Sequence, residues 1–132
     1  MKSILIVDDE PEVRAYLKEI LKDQGYRIIL AANGSEAVCI QNTHCCDLII
    51  IDIFMPVAEG LSTIVKIRQN SPDTRIIAIS GGGILGIGHY LDHALIYGAD
   101  VAMEKPIRGS ELVSQVQQLM EQDFSLASSF FV

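Results

Sequence analysis

The stretch Asp47-Leu48-Ile49-Ile50-Ile51-Asp52-Ile53-Phe54-Met55-Pro56 decides how the rest of the chain is read. Leu48 to Ile51 is an unbroken apolar run with no polar alternation, the pattern of a strand buried on both faces, and it stops at a carboxylate. The same design recurs on either side. Ile4 to Val7 ends in Asp8-Asp9-Glu10, Arg75 to Ile79 ends in Ser80, and Val101 to Met103 leads to Lys105-Pro106. Tyr26 to Ala31 is a further strand-length run. Helical patterns lie between them. From Pro11 to Asp23 the apolar residues fall at 13, 17, 20 and 21, one helix face, with Pro11 in the first turn and Gly25 after the end. Asn33-Gly34 reads as a turn, and Ser35 to about Asn42, Leu61 to Gln69, Ile87 to Tyr97 and Gly109 to Gln122 read as helices. Strands apolar on both faces need cover on both faces, so five β–α alternations predict an α/β fold. The expected form is a doubly wound, five-stranded parallel sheet with spatial order 2-1-3-4-5. In such folds ligands bind beyond the carboxyl ends of the strands, at the switch point between strands 1 and 3.

Composition narrows the function. A length of 132 residues is one domain's worth, and 49% apolar with 20% charged residues is ordinary for a globular chain. A net charge of −7 with ten scattered basic residues disfavours direct nucleic-acid binding. No apolar run approaches a membrane span, and Ser3-Ile4-Leu5-Ile6-Val7 lacks the pattern of a signal peptide, so no membrane partner and a cytoplasmic location are expected. Cys39, Cys45 and Cys46 have no zinc spacing and read as reduced, buried or half-buried thiols. The expected organisation is one domain over residues 1–122 and a short apolar tail over 123–132, with no output domain. The tail reads equally as a frayed end, a packed segment or a partner contact.

The acids carry the chemistry. Asp8 and Asp9 follow strand 1 and Asp52 follows strand 3, so three carboxylates should meet at one edge. Like charges that close raise at least one pKa unless a cation sits among them. A hard divalent ion with oxygen ligands relieves this, and Mg²⁺ suits a site of few carboxylates and a phosphoryl oxygen, with Mn²⁺ as the alternative ion. Singly, each acid is also an ordinary strand-end turn or cap residue. Ser80 and Lys105 should reach the same edge. A carboxylate that accepts a phosphoryl group acts as a nucleophile and forms a mixed anhydride. A cation, the Ser80 hydroxyl with a backbone N–H, and the Lys105 ammonium would each answer one oxygen of the transferred group.

With these residues in place, the chain resembles the receiver domains of two-component response regulators, which have a flavodoxin-like fold. The resemblance rests on Ile4-Leu5-Ile6-Val7-Asp8-Asp9-Glu10, on Asp47 to Pro56 with Gly60, on Ser80, and on Gly98-Ala99-Asp100 leading to Lys105-Pro106, and it covers residues 2–122. It implies phosphoryl transfer to Asp52 from a sensor histidine kinase or a histidine phosphotransfer protein, and an as yet unidentified downstream protein partner. It implies Mg²⁺ held by Asp9, Asp52 and the main-chain carbonyl of Phe54, with Asp8 acting partly through water. It also implies a cis peptide between Lys105 and Pro106. A face formed by the fourth helix, fifth strand and fifth helix could serve a homodimer.

Several positions depart from the family pattern. Receivers usually carry an aromatic residue three positions before the lysine, where this chain has Ala102, which has no rotamer to switch. This is either a tolerated variation or the mark of a different movement near the fourth helix. Gly81-Gly82-Gly83-Ile84-Leu85-Gly86-Ile87-Gly88 follows Ser80 and reads as a loop that orders on phosphorylation rather than as a nucleotide cradle. Phe54 and Gly82, at positions that often guide the hydrolytic water, offer it no side-chain hydrogen bond, which predicts slow self-dephosphorylation. His89 and His93 stand four apart around Asp92 but lack an evident third metal ligand, and Tyr90 and Tyr97 read as packing or partner contacts.

Other classes fit less well. An aspartate-nucleophile phosphohydrolase needs a general acid two positions after its nucleophile, where this chain has Phe54 if Asp52 is the nucleophile. A flavodoxin-like cofactor binder needs a phosphate loop after strand 1, where Asp8, Asp9 and Glu10 would repel phosphate. A degenerate receiver would have lost one of Asp9, Asp52, Ser80 or Lys105, and all four are present. A self-modifying signalling phosphoacceptor, rather than a turnover enzyme, is the reading that remains.

Overall fold

The computed structural model describes residues 1–53, 59–81 and 87–121, with backbone alone for 59 and 87–91. Among the described residues ten elements alternate: β1 (Ser3–Val7), α1 (Pro11–Leu21), β2 (Arg27–Ala31), α2 (Gly34–His44), β3 (Leu48–Asp52), α3 (Glu59–Asn70), β4 (Arg75–Ser80), α4 (Ile87–Tyr97), β5 (Val101–Glu104) and α5 (Gly109–Glu121). The strands form one parallel sheet in the order β2-β1-β3-β4-β5, as the sequence predicts.

Burial follows from the apolar runs. Every residue of β3 is buried, as are Ile4–Val7 of β1 and Ile76–Ser80 of β4. Alternate residues feed two cores. Leu5, Val7, Ile49, Ile51 and Ala78 pack under Ala37 of α2, Ile64 and Ile67 of α3 and Ala94 of α4. Ile4, Ile6, Ile50, Ile77 and Ile79 pack under Leu17 and Leu21 of α1 and Leu112, Val116 and Leu119 of α5. Each buried Leu, Ile or Val side chain among these contributes about 1.5–3 kcal/mol by leaving water.

Three local readings are corrected. Asn33-Gly34 is a helix start rather than a turn: Asn33 is the N-cap of α2, its side-chain oxygen accepting from the Glu36 amide at 2.8 Å, and Gly34 is the first helical residue. α2 runs on to His44, two residues further than expected, because Cys45 takes the left-handed C-cap conformation (φ 50°), a place more often held by glycine. The cysteines are not all buried or half-buried: Cys39 and Cys45 are exposed and only Cys46 lies in the core, where burial raises its thiol pKa. All three are free thiols.

Candidate functional site

Parallel register brings the three acids together. Val7 pairs with Ile51, so the residues that follow, Asp8 and Asp52, leave neighbouring strands at the same height. One carboxylate oxygen from each of Asp8, Asp9 and Asp52 lies within 4.8 Å of the others. Asp8 and Asp52 are buried and Asp9 is exposed, so the cluster opens to solvent on one side. Asp8 is fixed by its amide, which donates to Ala31 O at 3.2 Å, and by its Oδ1, which accepts from the Glu10 amide at 2.9 Å.

β5 delivers the counter-charge. The Lys105 amide donates to Ser80 O at 2.8 Å, which carries the β4–β5 pairing one step past the strand and sets Lys105 beside Ser80. Its ammonium then lies 3.1 Å from Asp52 Oδ2 and 3.4 Å from Asp8 Oδ2. The peptide between Lys105 and Pro106 is cis. Ser80 is fully buried, and its hydroxyl donates to Gly81 O at 3.3 Å rather than to a carboxylate.

Three carboxylates against one ammonium leave the site short of positive charge. The Asp8 pKa is raised from 3.8 to about 6, chiefly by burial and further by the Asp52 charge, which the Glu10 amide and Lys105 only partly offset. Burial lowers the Lys105 pKa, but Asp52 and Asp8 outweigh it and the net shift is upward. Clustered oxygens, an acid whose charge is costly to bury and an open side fit a hard divalent cation.

Gly60 brings α3 onto this edge. A Cβ there would lie 2.3 Å from Ile53 Cα and 2.6 Å from Asp52 O, so only glycine lets the helix start against the end of β3. The sequence marks Gly60 as part of a pattern without giving this reason. The sequence leaves Arg14 unmarked: its Nη1 donates to Asp8 O at 2.7 Å, six positions back along the chain, and no local motif links the two. Beside the site, Val13, Tyr16, Leu17, Gly81, Lys105, Pro106 and Ile107 line an apolar hollow of about 560 Å³. Tyr16 closes it by donating to Ile107 O at 2.8 Å.

Other expected positions lie elsewhere. Ala102 is half-buried on β5 and pairs with Ala78. His93 and Tyr97 are exposed on α4 with ring centroids 6.2 Å apart, and His93 joins no metal-capable cluster among the described residues. Phe54, with its carbonyl, the segment 82–86, the side chains of His89 and Tyr90, and the tail from residue 122 lie outside the described residues.

Comparison with known proteins agrees with this geometry. The family model of the response regulator receiver domain matches residues 4–117. The transcriptional regulatory protein CpxR of Escherichia coli K12 is 32% identical over 122 residues, covering 91% of this chain and 50% of CpxR. The chain thus spans about half the length of such curated relatives. A CheY-like receiver domain protein from Methanospirillum hungatei superposes with a TM-score of 0.82 at 29% identity, covering 92% of this chain and 95% of that one. The beryllofluoride-activated NtrC4 receiver domain dimer does so with a TM-score of 0.82 at 30% identity, covering 92% and 98%. No described helix is long and apolar enough to cross a membrane. This chain belongs to the response regulator receiver domain family of two-component signalling.

Proposed function

We propose that Asp52 is the phosphoacceptor, taking a phosphoryl group from a phosphohistidine of a sensor kinase or phosphotransfer protein. The observation that carries this is the Lys105 ammonium at 3.1 Å from Asp52 Oδ2, at the rim of the three-acid cluster. An Asp52 oxygen attacks phosphorus as the histidine N–P bond breaks, giving an acyl phosphate on Asp52 and an imidazole that solvent protonates. The Lys105 ammonium would follow the transferred oxygens, and the Ser80 hydroxyl would exchange its Gly81 partner for another of them. Asp8, Asp9 and Asp52 would hold Mg²⁺ or Mn²⁺, with the Phe54 carbonyl completing the protein ligands. That ion supplies charge neutralisation for the incoming phosphoryl oxygens.

The reading makes this a self-modifying signalling domain of the cytoplasm, bounded at about residue 122, whose acyl phosphate decays slowly. Its output would be a protein surface around β4, α4, β5 and α5. Leu95, Ile96 and Tyr97, exposed apolar residues on α4, support such a surface, and the dimeric state of the NtrC4 receiver domain is a precedent for a homodimer. Acetyl phosphate with Mg²⁺, followed by intact mass, tests the acceptor. Wild type should gain one phosphoryl mass and Asp52→Asn none. A gain that survives in Asp52→Asn would refute the assignment.

A further inference from the structure

The three acids differ in how their carboxylates are held. Asp8 is fixed by the Glu10 amide and by Lys105, and Asp52 by Lys105. Asp9 is exposed, and among the described residues its carboxylate has no hydrogen-bond or ion-pair partner. Its place in the cluster is therefore set by the main chain, and first of all by the Asp8–Asp9 peptide. The carbonyl of that peptide is the group that Arg14 Nη1 holds at 2.7 Å. Arg14 is itself anchored half-buried on α1, its amide donating to Glu10 O at 3.1 Å.

We propose that Arg14 is a positioning residue of the cation site, orienting the Asp8–Asp9 peptide so that the Asp9 carboxylate stays among the other two. This rests on the reading of the acids as a divalent-cation site. The sign of its effect is diagnostic. A guanidinium beside a cation site repels the cation, so if its charge alone mattered, removing it would tighten binding. If its hydrogen bond to the Asp8 carbonyl matters, removing it loosens binding, because groups that orient a metal's ligands typically cost 10–100-fold in affinity when lost.

The test is calorimetric titration with Mg²⁺, backed by water-proton relaxation with Mn²⁺, on wild type, Arg14→Met, Arg14→Lys and Asp9→Asn. Arg14→Met should raise Kd about tenfold, and Arg14→Lys, which keeps a donor and the charge, should restore most of the affinity. An unchanged or lower Kd in Arg14→Met overturns the proposal, and so does a lowered metal-free melting temperature with wild-type affinity, which would make Arg14 merely structural. If Arg14→Met folds poorly, Arg14→Gln is read by the same criteria. Failure of the underlying reading looks different: wild type would show no saturable binding, or Asp9→Asn would bind as wild type does.

Discussion

The two ends of the sheet are built on opposite terms. At the amino end of the strands the buried side-chain polar atoms of the described residues are all paired. Gln41 is buried, donates to Thr74 Oγ1 at 2.9 Å and to Cys46 O at 3.2 Å, and accepts from the Cys46 amide at 2.9 Å. Arg68 of α3 donates to the carbonyls of Gly98, Pro72 and Thr74 and to Asp100, whose carboxylate also accepts from the Ile76 amide at 2.8 Å. Gly98 is at φ 129°, and a Cβ there would come within 3.1 Å of the Arg68 side chain, so the guanidinium sits directly on the α4–β5 turn. At the carboxyl end three acids face one ammonium. The first arrangement joins α2, α3, β4 and the turn before β5 into one unit. The second keeps charge unbalanced, with three carboxylates about one ammonium. Folds commonly concentrate such local conflict at the functional site and compensate for it elsewhere.

Breaking the satisfied end should have the largest effect on stability. Arg68→Met strands the Gly98 and Thr74 carbonyls and takes the ion pair from the Asp100 carboxylate, which keeps the Ile76 amide, and is expected to cost about 3 kcal/mol in urea unfolding. Mg²⁺ affinity of the folded variant should stay near wild type, because Arg68 touches none of the three acids. A stability loss below about 1 kcal/mol would mean that water replaces the guanidinium and that the two ends differ less than the contrast requires.

Relieving the frustrated end should act in the opposite direction. The rise of the Asp8 pKa from 3.8 to about 6 corresponds to about 3 kcal/mol. Its folded pKa lies above its unfolded value, so the native state binds more protons than the unfolded state between pH 4 and 6. Stability from this group is full below pH 4, declines as pH rises through about 6, and stays lost at neutral pH. Asp8→Asn removes the charge and forfeits part of the Lys105 pairing. It should therefore stabilise the metal-free domain by about 2 kcal/mol at pH 8 and lose that advantage by pH 4. The same variant should bind Mg²⁺ more weakly. Urea titrations at both pH values, in chelator, measure the first effect. A mutant that is no more stable than wild type at pH 8 would show that Asp8 is not strained.

This division also explains what was legible in the sequence. The strands were, because Ile4–Val7 and Leu48–Ile51 are apolar without alternation and only a doubly covered sheet accommodates that. The acids and Lys105 were, because their chemistry sits in the side chain and the strand order carries it to one edge. Gly60, Arg14, Arg68 and Gln41 act instead on backbone carbonyls or backbone space of residues distant in the fold, and no local pattern announces such a partner. Asn33 was placed but misassigned, since Asn-Gly serves a turn and a helix start with the same residues until its Oδ1 is seen to accept from Glu36.

Cys45 is the least visible of these and gives the smallest expected effect. Its φ of 50° is costly for a side chain with a Cβ, and nothing in a Cys-Cys pair signals a helix stop. Its amide donates to Gln41 O at 2.9 Å, so the cap bond is made by the backbone and survives any substitution other than proline. Cys45→Gly should remove the strain at the cost of a more flexible unfolded chain, for a net gain of about 0.5–1 kcal/mol. Because the change lies at the amino end of the sheet, Mg²⁺ affinity and phosphorylation of Asp52 should not move. A loss of stability on Cys45→Gly would mean that the exposed thiol makes packing contacts worth more than the left-handed penalty. The polar network around Gln41 would then owe part of its rigidity to this side chain.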